Sequence, residues 1–342
     1  MTKKIGIIGD LHLKEKLGYS DYVKGNRKEE EKEIFDSIVE TLGDCDEIVF
    51  LGDNFNSKNN TSEVIKKLVV FLERFSDKKL YILAGNHEKH ADGRSAIDFL
   101  KEIDKPNWKV ITNEIFVTED KEMVFLPYMT KPELEVEDND SGTKRIMKTL
   151  KKGKFFFAHH AISDSMVNGI STSIFDEVIL PKDKLEKLYD IIFAGHVHTP
   201  QELKGGKIFI SGSIFNNEVG EKGKYVWKVD KETLEVASYK LPGRGIYKLE
   251  NPTIEKINKI DKSNILKVVI NDKKLKKEIS KIKNELKKFD ASILLEQYSN
   301  ERKKVHFEEG MLDLKVDKLL DIYAKEKKVD IKKLNLAWNL IK

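Results

Sequence analysis

Five short apolar runs each end in a group of oxygen or imidazole side chains, and no other feature restricts the fold as tightly. Residues 4–8 lead into Gly9, Asp10, Leu11 and His12, and residues 48–51 into Gly52, Asp53 and Asn54. Residues 80–83 lead through Ala84 to Gly85, Asn86 and His87, residues 155–158 into His159 and His160, and residues 191–194 into Gly195, His196, Val197 and His198. A run of that length reads as a buried strand. Gly9, Gly52, Gly85 and Gly195 precede four of the five polar groups, and glycine there permits a sharp turn and a close approach of backbone to a metal or phosphate. If the runs are neighbouring parallel strands, the five groups converge on one sheet edge, where α/β proteins hold their ligands.

The intervening segments support that arrangement. Residues 28–42 place Ile34, Phe35, Ile38, Val39 and Leu42 on one helical face, and residues 62–75 do so with Val64, Ile65, Leu68, Phe71, Leu72 and Phe75. Strand, helix, strand, helix, strand predicts a largely parallel α/β sheet. A further helix is expected near 95–102, then shorter strands at 109–112, 115–118 and 123–127. Asp138, Asn139, Asp140, Ser141 and Gly142 carry turn chemistry, so 133–143 reads as a loop before a basic helix. A polar loop over 162–173 is long enough to overhang the site, and strands follow at 207–211, 224–229 and 235–241. Composition shifts after Asn251 and Pro252, so residues 1–250 are expected to form the first domain. Residues 251–300, with strands at 265–270 and 291–295 flanking a lysine-rich helix at 274–289, form a small α+β module, and 301–342 form C-terminal helices.

Histidine usage identifies the chemistry. Of eight histidines, only His90 and His306 lie away from the strand ends. Two aspartates, one asparagine and four imidazoles are too many ligands for one ion and fit two, with Asp53 as the natural bridge between them. An N/O donor set without sulfur suits Mn²⁺, Fe or Zn²⁺, with Mn²⁺ the first expectation. His87, directly after a ligand, is the candidate proton donor to a leaving oxygen. The single cysteine, Cys45, excludes an internal disulfide framework and thiolate metal clusters. A net charge of +4 confines any nucleic-acid surface to a local patch. No run reaches the roughly 18–20 apolar residues of a membrane span, and no signal peptide opens the chain, so the expected location is the cytoplasm.

The ordered motifs D-x-H, GD, GNH, a strand-terminal histidine and G-H-x-H resemble those of the calcineurin-like metallophosphoesterases over roughly residues 5–229. That resemblance implies a four-layer α/β/β/α sandwich. It also implies that Asp10, His12 and His198 hold one metal and Asn86, His159 and His196 the other, with Asp53 shared and His87 at the leaving group. His160 and Asn54 would support the ligands or touch substrate. Within the family the layout is similar to the SbcD-type DNA-repair nucleases, including the shorter subunits of large tailed phages, for which the location would be the bacterial host cytoplasm. The chain differs from their usual pattern at Leu11, Lys14, Asn56 and Glu88, none of them a metal ligand.

The closer resemblance implies a DNA exo- or endonuclease whose small module caps the site and whose C-terminal helices grip a coiled-coil ATPase of the SbcC type, with a homodimer also open. A small-molecule or nucleotide phosphoesterase shares every ligand and is the alternative. Lys273, Lys274, Lys276, Lys277, Lys281, Lys283, Lys287 and Lys288 fit DNA phosphates or a solvated helix face equally well.

Overall fold

The computed structural model describes residues 3–23, 27–167, 170–172, 176–221 and 223–297. The expected C-terminal helices of 301–342 lie outside these residues.

In chain order the first half contains β1 (Lys4–Ile8), α1 (Lys28–Thr41), β2 (Glu47–Phe50), α2 (Ser62–Glu73), β3 (Lys79–Leu83), β4 (Trp108–Ile111), β5 (Phe116–Val117) and β6 (Met123–Leu126). Then come α3 (Asn139–Thr149), β7 (Phe155–Ala158), the short pair β8 (Met166–Val167) and β9 (Ile170–Ser171), α4 (Lys182–Leu185) and β10 (Ile191–Ala194). The domain finishes with β11 (Gln201–Glu202), β12 (Ile208–Ile210), β13 (Tyr225–Asp230) and β14 (Val236–Lys240). The small module comprises β15 (Ile246–Glu250), α5 (Ile254–Asn258), β16 (Ile265–Ile270), α6 (Ile279–Leu286) and β17 (Ala291–Glu296).

Two six-stranded sheets face each other, one in the order β14-β13-β1-β2-β3-β4 and the other β11-β12-β10-β7-β6-β5. Both are mixed: β1 to β4 run parallel, as do β6, β7, β10 and β12, while β13, β14, β5 and β11 pair antiparallel at the margins. Strand alternation divides the core. Ile5, Ile7, Val49 and Tyr81 of the first sheet meet Phe125, Phe155, Phe157 and Phe193 of the second. Tyr81 stacks on Phe125 with centroids 4.4 Å apart. The opposite faces carry the helices: Ile34, Ile38, Leu68, Phe71 and Leu72 of α1 and α2 cover Ile8, Phe50 and Ile82, while Ile146 and Leu185 of α3 and α4 cover Val124, Phe156 and Ile192. This is the four-layer α/β/β/α sandwich.

Three local expectations change. The helix near 95–102 is only a 3-10 helix at Asp98–Glu102, and Asp98 accepts the Ser95 N–H at 2.6 Å just before it. The turn chemistry near Asp138 is capping chemistry: Asp138 Oδ1 accepts the Ser141 N–H at 2.8 Å, so α3 begins inside the expected loop. The lysine-rich helix is split into a 3-10 stretch, Lys273–Glu278, and α6.

The small module is a three-stranded parallel sheet, β15-β16-β17, covered by α5 and α6 through Ile257, Ile282, Leu286 and Phe289. Its first strand, β15, lies N-terminal to residue 251. At the end where Ile246, Ile265 and Ala291 stand in register, the sheet packs on Val23, Tyr19 and Val219 of the larger domain.

Candidate metal centre

Register places the polar groups together. Ile8, Phe50 and Ile82 are in line across β1, β2 and β3, so Asp10, Asp53 and Asn86 leave the same edge. Ala158 pairs with Ala194, so His159 and His196 leave the second sheet at its corresponding edge. The first turns are tight. A Cβ on Gly85 would lie 2.1 Å from Asp53 Oδ1, and one on Gly52 would lie 2.4 Å from His159 Nδ1. Either substitution would push a donor away from the centre.

Two constellations result. In the first, Nε2 of His12 and Nε2 of His198 face each other at 2.8 Å, with Asp10 alongside. In the second, Asn86 Oδ1 lies 3.0 Å from His159 Nε2 and 2.9 Å from His196 Nδ1. Asp53 stands between them, its Oδ2 at 3.3 Å from His159 Nε2 and 3.6 Å from His12 Nε2. His12, Asp53 and His196 all have positive φ, at 46°, 46° and 79°, an uncommon conformation for these residues that clusters at functional sites.

Buried backbone contacts orient the ligands. The His159 Nδ1–H donates to the Leu51 carbonyl at 2.8 Å, leaving Nε2 as the donor atom. Asp10 accepts the His196 N–H at 3.0 Å, and Asp53 Oδ1 accepts the His87 N–H at 2.9 Å. The electrostatics fit cations. Burial pushes the Asp10 carboxyl up, reinforced by the charge of Asp53. Burial also opposes ionisation of Asp53, but the charge of His159 and its hydrogen bond hold it well below the usual carboxylate range. Burial would lower His159, yet Asp53 and Asp10 outweigh it and raise it to about 9, while burial drives His12 down to about 3. Asp53 and Asp10 thus favour positive charge at His159. A divalent cation would supply that charge and release Nε2 as a ligand.

The spacings support the same fit. Neighbouring donors in octahedral coordination with bonds of about 2.1 Å would be roughly 3 Å apart, close to the contacts above. Asp10, His12, Asp53, Asn86, His159, His196 and His198 therefore come together, and Asp10, His12 and His198, as well as Asp10, Asp53 and His159, form groups whose donor atoms could hold a divalent ion.

The other three sequence candidates lie around this core. His87 is the more exposed imidazole; its Nδ1–H donates to the Asn56 carbonyl at 2.9 Å, and its Nε2 lies 4.0 Å from Asp53 Oδ2. His160 is fully buried beneath Tyr128, its Nε2 accepting the Met129 N–H at 3.3 Å; burial lowers it to about 3. Asn54 is also buried, and its Nδ2 donates to the Leu83 carbonyl at 2.9 Å, tying the turn after β2 to β3. Neither lines the open side of the centre.

Sequence reasoning missed four residues: Tyr128, which stacks near His160 and His196; Glu88, which binds two strand-end turns; Glu177; and Glu221. Glu88 was visible beside Asn86 and His87. The other three have no local signature, since their partners lie in distant segments.

The family model of the calcineurin-like phosphoesterases matches residues 3–200, more than half of the chain. The chain belongs to that family. The match spans all five strand-end motifs, and the clusters of His and Asp side chains at this edge are consistent with a divalent metal site. No curated protein gave a significant match. One solved structure matches at 12% identity and a TM-score of 0.42, covering 71% of this chain and all of its own. Another, described as a novel archaeal phosphodiesterase, matches at 14% identity and a TM-score of 0.35, covering 70% of this chain and 99% of its own.

Proposed function

We propose that the protein is a metal-dependent phosphoesterase in which His87 donates the proton to the leaving oxygen. The carrying observation is the orientation of His87: Nδ1–H is committed to the Asn56 carbonyl, so the protonated ring presents Nε2–H toward the Asp53 side from a position open to solvent. Asp10, His12 and His198 would hold one ion and Asn86, His159 and His196 the other, with Asp53 shared. When bound, such ions neutralise phosphoryl charge and make water a usable nucleophile near neutral pH. The protein positions these groups without help from substrate: Leu51 fixes His159, and Asp10 and Asp53 fix the turns that carry His196 and His87. A cleft of about 80 Å³ beside His12 and His198 is also lined by Lys14, Asn56, Ser213 and Asn217, with the carboxylates of Glu218 and Glu221 facing the Lys14 charge.

Family membership supports phosphoester hydrolysis broadly, which favours small-molecule or nucleotide esters as the first substrates to test. The narrower reading is a DNA phosphodiesterase, the nuclease subunit of an SbcCD-like complex using Mn²⁺ and an SbcC-type ATPase. Its support is the motif resemblance together with the eight exposed lysines at 273, 274, 276, 277, 281, 283, 287 and 288 on the small module. No helix among the described residues is long and apolar enough to cross a membrane.

The test compares bis(p-nitrophenyl) phosphate, mononucleotide esters and end-labelled single- and double-stranded DNA, each with Mn²⁺, with Mg²⁺ and with chelator. Metal-dependent hydrolysis of the small diester supports the class. Preference for nucleotide esters supports the broader substrate reading, whereas salt-sensitive, length-dependent DNA cleavage selects the nuclease. Inactivity on all four would overturn the proposal.

A further inference from the structure

The two histidines of the Gly195–His198 segment use opposite ring nitrogens toward the centre. His196 directs Nδ1 to Asn86 Oδ1, whereas His198 directs Nε2 to His12 Nε2. Each ring therefore has one remaining nitrogen, and each of these faces a glutamate from outside the family's motifs. His196 Nε2 lies 2.6 Å from Glu177 Oε2, and His198 Nδ1 lies 3.5 Å from Glu221 Oε1.

The backbone around Glu177 is anchored, and the side chain of Glu221 is held independently of its histidine. Glu177 is flanked by anchored residues: Asp176 accepts from Asn139 Nδ2 at 2.6 Å, Thr143 Oγ1 donates to the Ile179 carbonyl at 3.0 Å, and Val178 is buried against the second sheet. Glu221 Oε2 accepts the N–H groups of Asn217 and Glu218 at 2.8 and 3.2 Å and pairs with buried Lys224 at 3.4 Å. A carboxylate accepts and cannot donate when ionised, so it selects the tautomer whose proton points at it. Glu177 thus keeps the proton on Nε2 of His196 and leaves the lone pair on Nδ1. Glu221 does the reverse for His198.

We propose that Glu177 and Glu221 are positioning residues for separate metal sites, setting opposite tautomers on two histidines only two positions apart. The inference rests on the two-metal reading of the centre. The 2.6 Å contact makes Glu177 the stronger partner, and the longer Glu221 contact predicts a smaller effect.

The test is binding, not turnover. Mn²⁺ is titrated calorimetrically into the full chain and its Glu177→Ala, Glu177→Gln, Glu221→Ala and Asn86→Ala variants. Electron paramagnetic resonance separates coupled ion pairs from single ions, and melting of the metal-free proteins controls for folding. Glu177→Ala is expected to weaken one binding step by about 10–100-fold, the range for such supporting groups, and the step affected should be the one lost in Asn86→Ala. Glu177→Gln, which keeps an acceptor oxygen, should recover much of that loss. Glu221→Ala should weaken the other step by about 10-fold or less. Unchanged steps in both alanine variants, or equal weakening of both steps with reduced metal-free melting temperature, would overturn the assignment. A wild-type chain that binds an ion pair but hydrolyses no ester would refute the proposed function while leaving this test intact. A wild-type chain that binds no pair would refute both.

Discussion

Replacing Glu88 should damage the centre although Glu88 ligates nothing. Its side chain is fully buried, Oε1 accepting the Phe55 N–H and Oε2 the Gly85 N–H, both at 2.7 Å. Phe55 lies two residues after Asp53, and Gly85 immediately before Asn86, so one carboxylate joins the turn bearing Asp53 to the turn bearing Asn86 and His87. Burial, with the charge of Asp53, pushes its carboxyl up to about 8, opposed by the two N–H donors. Glu88→Ala leaves both donors buried and unpaired at about 1–3 kcal/mol each, a total of about 2–6 kcal/mol. Glu88→Gln retains one acceptor and sets its amide N–H₂ against the second donor, so a loss of about 1–3 kcal/mol is expected. Urea unfolding of the metal-free proteins measures both values, and Mn²⁺ titration reads the effect on the site. The expected order is wild type, Gln, Ala in stability and in ion affinity. An alanine variant within about 0.5 kcal/mol of wild type would refute the role of these two bonds, because that is the range of surface substitutions without structural consequence.

His87→Ala should retain both ions in the Mn²⁺ titration and lower kcat by about 10²–10⁴, the contribution of a general acid; wild-type turnover would remove His87 from that role. Cys45 is 2% exposed, and burial raises its thiol to about 11, so at pH 8 a disulfide reagent should modify the native chain slowly and the urea-unfolded chain at once. Fast native labelling would contradict that environment. Ile246→Ala, at the buried seam between the small module and the larger domain, should cost about 2–5 kcal/mol. Because Gly220 N–H donates to the Ile246 carbonyl one residue before Glu221, the variant should also weaken the ion step affected by Glu221→Ala, and a change in the other step alone would refute that link.

The strand-end motifs were legible because a parallel sheet converts sequence order into spatial convergence. Once β1, β2 and β3 pair in register, Asp10, Asp53 and Asn86 have little choice of neighbour. The same logic made α1 and α2 readable from their apolar faces. It fails where a segment's polar groups have two uses. Asp138 and Ser141 serve equally well in a turn or at a helix start, and only the Ser141 N–H contact decides for the start of α3. It fails again for Glu177 and Glu221, whose partners His196 and His198 lie 19 and 23 positions away, and for β15, which finds its neighbour only when the module folds.

The strained backbone explains why the site forms as a unit. His12, Asp53 and His196 each hold an uncommon positive φ, a conformation costing about 1–3 kcal/mol per residue. Each strained turn is tied to another strand end: the His12 N–H donates to the Asp53 carbonyl at 2.8 Å, the His196 N–H to Asp10, and the His87 N–H to the Asp53 carboxylate. Those bonds cross from β1 to β2, from β10 to β1, and from β3 to β2, so no single strand end can relax without breaking a contact made by another. Asp10 and Asp53 therefore act twice, as acceptors that hold the turns and as oxygen donors facing the centre. Replacing either with asparagine would keep an acceptor for the backbone while reducing the charge available to a cation, which separates its structural use from its chemical one.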